Sequence, residues 1–321
     1  MKKTLAPIVT LGMAVALATG MTAASAETRI TYKSAKSTSS YYQMGVQIAE
    51  AMKVATDGKI SVTVEESQGS VQNVMEVKAR GADYVFTTPP ALIGLAQGGK
   101  AMFEGKSAPK FDSIRALFPI PSLTMHFVMS ADSGVESFAD MEGKTILLGK
   151  GSFGAREGAK YLGLFGLEGK VELAEVELSN AVPALKNGQI DGFVTAGSWP
   201  APNVIEAAAS TGVKVMSLND EQVTQTKRAK LTIPAGTYAG QDADITTTSL
   251  PVAAFTTTQM DDDTAYELTK TFWEGKDMMA EGAPWWNGVD AGLMGNVKVT
   301  FHPGAVRYYE EAGIALTDMQ K

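Results

Sequence analysis

Five times in this chain a short apolar run gives way to a turn of hydroxyl, amide or glycine residues that leads straight into a helix start. The turns are residues 37–42, 68–73, Thr87-Thr88, 151–156 and 197–199. Strands alternating with helices build mainly parallel sheets covered on both faces. In such sheets ligands sit beyond the carboxyl ends of the strands. The pattern therefore predicts an α/β fold in which all five turns face one cleft.

Residues 143–165, GKTILLGKGSFGAREGAKYLGLF, show the unit most plainly. Residues 144–148 suit a strand buried on both faces, and Gly149, Gly151 and Gly154 free the next turn from Cβ sterics. Ser152 then stands where a hydroxyl and unpaired backbone N–H groups can converge on one anion. Arg156 falls in the first helical turn, where the helix dipole disfavours a cation, so it calls for an anionic partner: Glu157 or a bound ligand. The same glycines spell G-x-G-x-x-G, with Glu172 and Glu175 beyond. As a dinucleotide fingerprint that spelling is weak, and its location argues against it.

Lys2 and Lys3, an apolar core over residues 5–21, and Ala24-Ser25-Ala26 together read as a cleavable secretory leader, with the mature chain starting at Glu27 in the periplasm. The sequence has 0 Cys, which removes disulfide and thiol chemistry. Its formal charge of −7 makes nucleic acid an unfavourable partner, and losing the two leader lysines makes the balance more acidic still. An anionic ligand must then be held by local dipoles and a few cations against the overall field.

Length favours two cores over one. Residues 114–120 and 123–129 are apolar segments that Pro119 and Pro121 should break, marking a first crossing between lobes; residues 251–256 mark the return. The expected division is 27–122 with 252–321 as lobe one and 123–251 as lobe two, joined by a hinge with the ligand cleft between them.

Groups suited to catalysis are few. His126 lies in an apolar run and His302 in a His-Pro turn, neither with ligands at metal spacing, so both read as structural. Asp261-Asp262-Asp263 reads as a charged helix start. Any one of Ser39, Ser40, Thr88 or Ser152 is explained as a cap; their shared placement is what points to a ligand. Trp199, in a Gly-Ser-Trp-Pro turn, is expected to cover that ligand, whereas Trp285-Trp286 suits lobe packing or a partner-facing patch.

The leader, SSYYQMGVQIAEAM, ADYVFTTPPAL, GKGSFGARE, DGFVTAGSWPAP, IPAGTYAGQ and HPGAVRYYEEAGI, in that order, resemble the TAXI-type solute-binding proteins of TRAP transporters. The resemblance implies a two-lobed, periplasmic binding protein-like receptor; the protein is expected to be a monomer with no cofactor, and the sequence offers no metal site of its own. It would close on a small organic anion and deliver it to membrane permease subunits driven by a sodium gradient. It also implies contacts from the turn before Tyr41-Tyr42, from Asn73, from Thr87-Thr88, from the Gly-Ser turn at Ser152 and from the loop before Pro200. At the pocket the chain departs from the family's glycine-rich turns, with Ser37 to Tyr42, an added Phe153, and Trp199. The ligand-binding set so reached is Ser37, Ser39, Ser40, Tyr41, Tyr42, Asn73, Thr87, Thr88, Ser152, Phe153, Arg156, Trp199 and Tyr238, with no catalytic residue. The alternatives are a binding protein serving a sensor or an ATP-driven importer, and a periplasmic enzyme on the same fold.

Overall fold

Local capping starts the helices of both halves. Ser39 accepts from the Tyr41 N–H, Ser152 from that of Ala155 and Asp261 from that of Thr264. The computed structural model describes residues 27–150 and 152–321; the expected leader at 1–26 and Gly151 lie outside the described residues. In chain order the elements are β1 (Thr28–Lys33), α1 (Ser40–Ala55), β2 (Ile60–Glu65), α2 (Ser70–Glu76), β3 (Tyr84–Thr88), α3 (Pro90–Gln97), β4 (Ile114–Ser130), β5 (Thr145–Leu147) and α4 (Phe153–Leu164). They continue as β6 (Glu172–Ala174), α5 (Ala181–Lys186), β7 (Gly192–Gly197), α6 (Pro202–Thr211), β8 (Val213–Val215), α7 (Asp220–Thr226), β9 (Ala229–Ile233), β10 (Ile245–Thr257), α8 (Asp262–Gly282) and α9 (Pro303–Glu311).

The described strands join in the order β2-β1-β3-β10-β4-β7-β5-β6, with β8 on β4 and β9 on β10. β1, β2 and β3 are parallel to one another, as are β5, β6 and β7, so each half is the parallel unit that the sequence predicts. Both faces of the second unit are covered. Val194 of β7 belongs to the large core and its neighbour Phe193 to a smaller one with Leu147, Leu185 and Val204. On the Val194 side α4 lies so close that a Cβ on Gly154 would stand 2.8 Å from the Cβ of Ala196.

β4 and β10 join the two units, and here the sequence reading needs correction. Pro119 and Pro121 do not break β4, which runs unbroken for 17 residues. Its first part pairs with β10 and its last with β7, Thr124 facing both Ser249 and Gly197. Pro121 has no partner in either ladder, so its missing N–H removes no ladder hydrogen bond. On β10 the register shifts between Leu250 and Val252, which leaves Pro251 unpaired too.

The C-terminal segment closes on the first unit. His302 caps α9 and its other ring nitrogen meets the Met260 carbonyl at 3.1 Å, while the Tyr309 hydroxyl donates to the Leu117 carbonyl at 2.6 Å. Any Cβ on Gly304 would collide with the Asp262 carbonyl oxygen. The HPG turn thus serves docking of α9 on α8.

Candidate functional site

Where the two parallel units face each other, the strand ends enclose a cavity of about 70 Å³. The first unit contributes Ala35, Lys36, Ser39 and Tyr41 from the turn after β1, Gln68, Gly69 and Ser70 from that after β2, and Thr87 from the end of β3. The second contributes Gly149, Lys150, Ser152, Phe153 and Gly154 after β5, with Glu177, Leu178, Val194 and Ala196. Leu123 and Val252 of the joining strands complete the wall. Four of the five predicted turns therefore do meet in one place.

The caps at Ser39 and Ser152 each satisfy one first-turn N–H; at α1 the Ser39 N–H also reaches the Lys36 carbonyl at 2.8 Å and the Tyr42 N–H the Ser39 carbonyl at 3.1 Å, and before α4 the Ser152 N–H reaches the Gly149 carbonyl at 3.4 Å. Both helix starts border the cavity, so its polar character is that of two positive dipole ends beside Lys36 and Lys150. Glu177, Gln68 and Thr87 add further polar surface, and Leu123, Phe153, Leu178, Val194 and Val252 make up the apolar part. Tyr41 turns its hydroxyl away to the Pro121 carbonyl at 3.0 Å, and burial pushes that phenol well above its ordinary pKa, so it acts as a neutral donor.

The units are tied together at both ends of this cavity. Lys36 Nζ lies 3.7 Å from the Glu177 carboxylate. With its amide oriented to satisfy both neighbours, Gln68 donates to Glu177 at 3.0 Å and accepts from Lys36 at 3.2 Å. At the other end the Ser40 hydroxyl accepts from the Ser198 N–H at 3.0 Å, in a space where a Cβ on Gly197 would meet that same oxygen.

Of the nominated residues, Ser39, Tyr41, Thr87, Ser152 and Phe153 line the cavity. Asn73 is buried behind it, its amide donating to the carbonyls of Ser34 and Thr87 at 2.7 and 2.9 Å, which fixes the ends of β1 and β3. Thr88 is also buried, but it is not the helix cap: Pro89 takes that position and Pro90 opens α3. Ser37 is exposed, its N–H held by Glu66 at 2.6 Å, and Tyr42 is half-buried outside the lining.

Arg156 is exposed and is not among the lining residues. Glu157 does not pair with it either, because that buried carboxylate takes a two-pronged bond from Arg228 at 3.0 and 2.9 Å. Tyr238 is buried within the second unit, bonded to His126 at 2.8 Å and to the Ala201 N–H at 3.0 Å. Burial lowers the His126 pKa to about 4, so the ring is neutral, with Nδ1–H directed to the Thr124 carbonyl and Nε2 accepting from Tyr238.

The fifth turn departs from expectation. Trp199 lines a separate groove with Trp285, Pro121, Pro200 and Leu293. Trp286 is fully buried in the core, so the tryptophan pair divides between two roles. Residue-by-residue reading missed Lys36, Lys150, Glu177 and Leu178; only Lys150 had a local signal, its place beside Gly149.

Among the described residues no group of three or more His, Asp or Glu side chains is placed to hold a metal, and no helix is long and apolar enough to cross a membrane. A sequence profile described as the NMT1-like family matches residues 33–313. Among solved structures, the periplasmic binding protein BugD superposes with a TM-score of 0.57 at 11% identity, over 89% of this chain and 98% of its own. MatC from Rhodopseudomonas palustris with bound malate superposes with a TM-score of 0.54 at 12% identity, over 80% and 88%. At such identities the likeness is one of fold, that of the periplasmic binding proteins.

Proposed function

The chain belongs to the NMT1-like family, and from that premise we propose that it is the periplasmic substrate-binding subunit of a TRAP-type transporter, of the TAXI kind, which captures a small organic anion and hands it to the membrane permease. The observation that carries this reading is the meeting of two Ser-capped helix starts, one from each parallel unit, in a single cavity. Anions bind at helix N-termini because N–H groups and dipole both favour them. Here an anion would join the two units directly, which is what a receptor closing on its cargo requires. Lys150 adds positive charge at the rim, where Lys36 is held by the Glu177 carboxylate, while Leu123, Phe153, Leu178 and Val252 leave space for a short apolar body. At about 70 Å³ the cavity is far below the ~300 Å³ at which drug-sized pockets begin, so the cargo is a short-chain acid.

The two histidines support capture over catalysis, since both are held in structural hydrogen bonds away from the cavity. Thermal shift against carboxylic acids of increasing length, followed by calorimetry, tests the reading. At least one short carboxylate should raise the melting temperature while its amide does not, and Ser152→Ala should weaken it about two- to tenfold, the worth of one hydrogen bond. Binding of the amide as tightly as the acid, or of no acid at all, would end the anion reading. For the transporter type, uptake of the labelled acid by cells should fail when the sodium gradient is collapsed and survive ATP depletion; the reverse result would assign an ATP-driven importer.

A further inference from the structure

The groove that holds Trp199 plays no part in that reading. It has a volume of about 440 Å³ and lies on the other face of the joining strand: Leu123 faces the cavity, whereas its neighbours Ser122 and Thr124 line the groove. Its walls come from both units, with Trp199, Pro200 and Leu231 from one and Pro121, Trp285 and Leu293 from the other. No charged side chain among the described residues lines it, in a chain of which 20% is charged.

Two of its hydroxyls are out of keeping with a bystander surface. Thr124 is 0% exposed and Ser198 2%, and neither side-chain oxygen has a hydrogen-bond partner among the described residues. They are near neighbours, because Thr124 pairs across the sheet with Gly197. Unpaired buried hydroxyls are costly to keep, so two of them in the wall of one aromatic groove call for a partner that neither has in the free protein.

We propose that this groove is a second ligand site, for an uncharged molecule with a flat apolar body that packs on Trp199 and Trp285 and a carbonyl or amide group that meets the hydroxyls of Thr124 and Ser198 once those two side chains, closed off in the free protein, turn toward it. An anion is excluded, because a carboxylate here would lose water without gaining a counter-charge. The site is therefore complementary to the cleft in chemistry as well as in place, and it stands on different residues.

Benzamide, nicotinamide and indole-3-carboxamide are suitable probes, with benzoate as the charged counterpart, each followed by tryptophan fluorescence and thermal shift on the full protein. At least one amide should bind saturably and benzoate at least about tenfold more weakly, the counterpart of roughly 1.4 kcal/mol. Thr124→Val and Ser198→Ala should each weaken the amide about two- to tenfold, the worth of one hydrogen bond, whereas Ser152→Ala in the cleft should leave it unchanged. Thr124→Val replaces an unpaired hydroxyl by a methyl of the same shape, so the free variant should melt no lower than the parent, and weaker binding then reports the site and not the fold. Wild-type affinity in Thr124→Val, equal affinity for benzamide and benzoate, sensitivity to Ser152→Ala, or no saturable binding of any amide would each overturn the proposal. Failure of every carboxylate in the cleft would not touch it.

Discussion

On one face of the joining strands, Leu123 and Val252 look into a cavity rimmed by Lys36, Lys150 and Glu177; on the other, Ser122, Thr124 and Ser249 look into a groove whose described lining holds no charge. A strand presents successive side chains to opposite faces, so β4 and β10 can wall two environments at once. The chemistry of each is then set by what the flanking turns bring. The cavity receives helix starts and lysines, and the groove receives two tryptophans and three prolines. The fold thus supplies two openings between its units, and sequence variation at a few turns suffices to give them unlike character.

The largest expected effect comes from the groove side. His126 lies on the same face of β4 as Thr124, and burial lowers its pKa to about 4 from the ordinary 6.5. The folded value is the lower one, so the unfolded chain takes the proton first: stability is complete above pH 6.5 and falls as pH drops toward about 4. A shift of that size corresponds to roughly 3 kcal/mol over the window. His302, lowered by burial in the same direction, adds to it. Melting followed from pH 7 to 5 should show a steady fall, with the affinity of any carboxylate found to bind in the cleft nearly constant while the protein stays folded. A flat melting profile would mean that His126 is less enclosed than the geometry indicates.

A smaller effect is expected where α4 meets β7 on the cavity side. Gly154→Val puts a side chain against Ala196, which a bare Cβ already approaches to 2.8 Å, and overpacking of this kind costs about 1 to 3 kcal/mol. Gly163→Ala, in the same helix with only a Glu168 carboxylate oxygen at 3.6 Å, should instead stabilise by about 0.5 to 1 kcal/mol. Chemical denaturation separates the two. If Gly154→Val stabilises as Gly163→Ala does, helix propensity and not close approach governs α4.

What could be read from the sequence follows the range of the forces involved. Caps at Ser39, Ser152 and Asp261 are local, and so are the strand–turn–helix units they begin. The continuity of β4 was not legible, since prolines look like breaks until the strand is seen to change partners at Pro121. β9, AKLTI, carries too little apolar pattern to stand out, and it exists because β10 pairs with it. Lys36 and Glu177 meet only across the two units, with nothing nearby in sequence to announce the contact. The fifth turn looked like the other four, but β7 runs on to Gly197, into the first residue of that turn. The residues after it consequently join the groove.

The smallest effect is expected at Arg156, the residue that the sequence marks most sharply. It follows Gly154 by two positions, about 200° around the helix, so when Gly154 packs on Ala196 the arginine points outward. Its nearest acid in sequence is already engaged by Arg228. An exposed cation contributes on the order of 0 to 1 kcal/mol, so Arg156→Ala should change carboxylate affinity by less than about fivefold. Lys150→Ala removes a cation that lines the cavity and should cost more, in a manner that weakens with added salt. Calorimetry on the two variants at low and moderate ionic strength compares them directly. A loss of about 30-fold or more in Arg156→Ala, the scale of a desolvated charge pair, would show that this side chain reaches the anion in the bound state and that α4 turns on its axis when the units close.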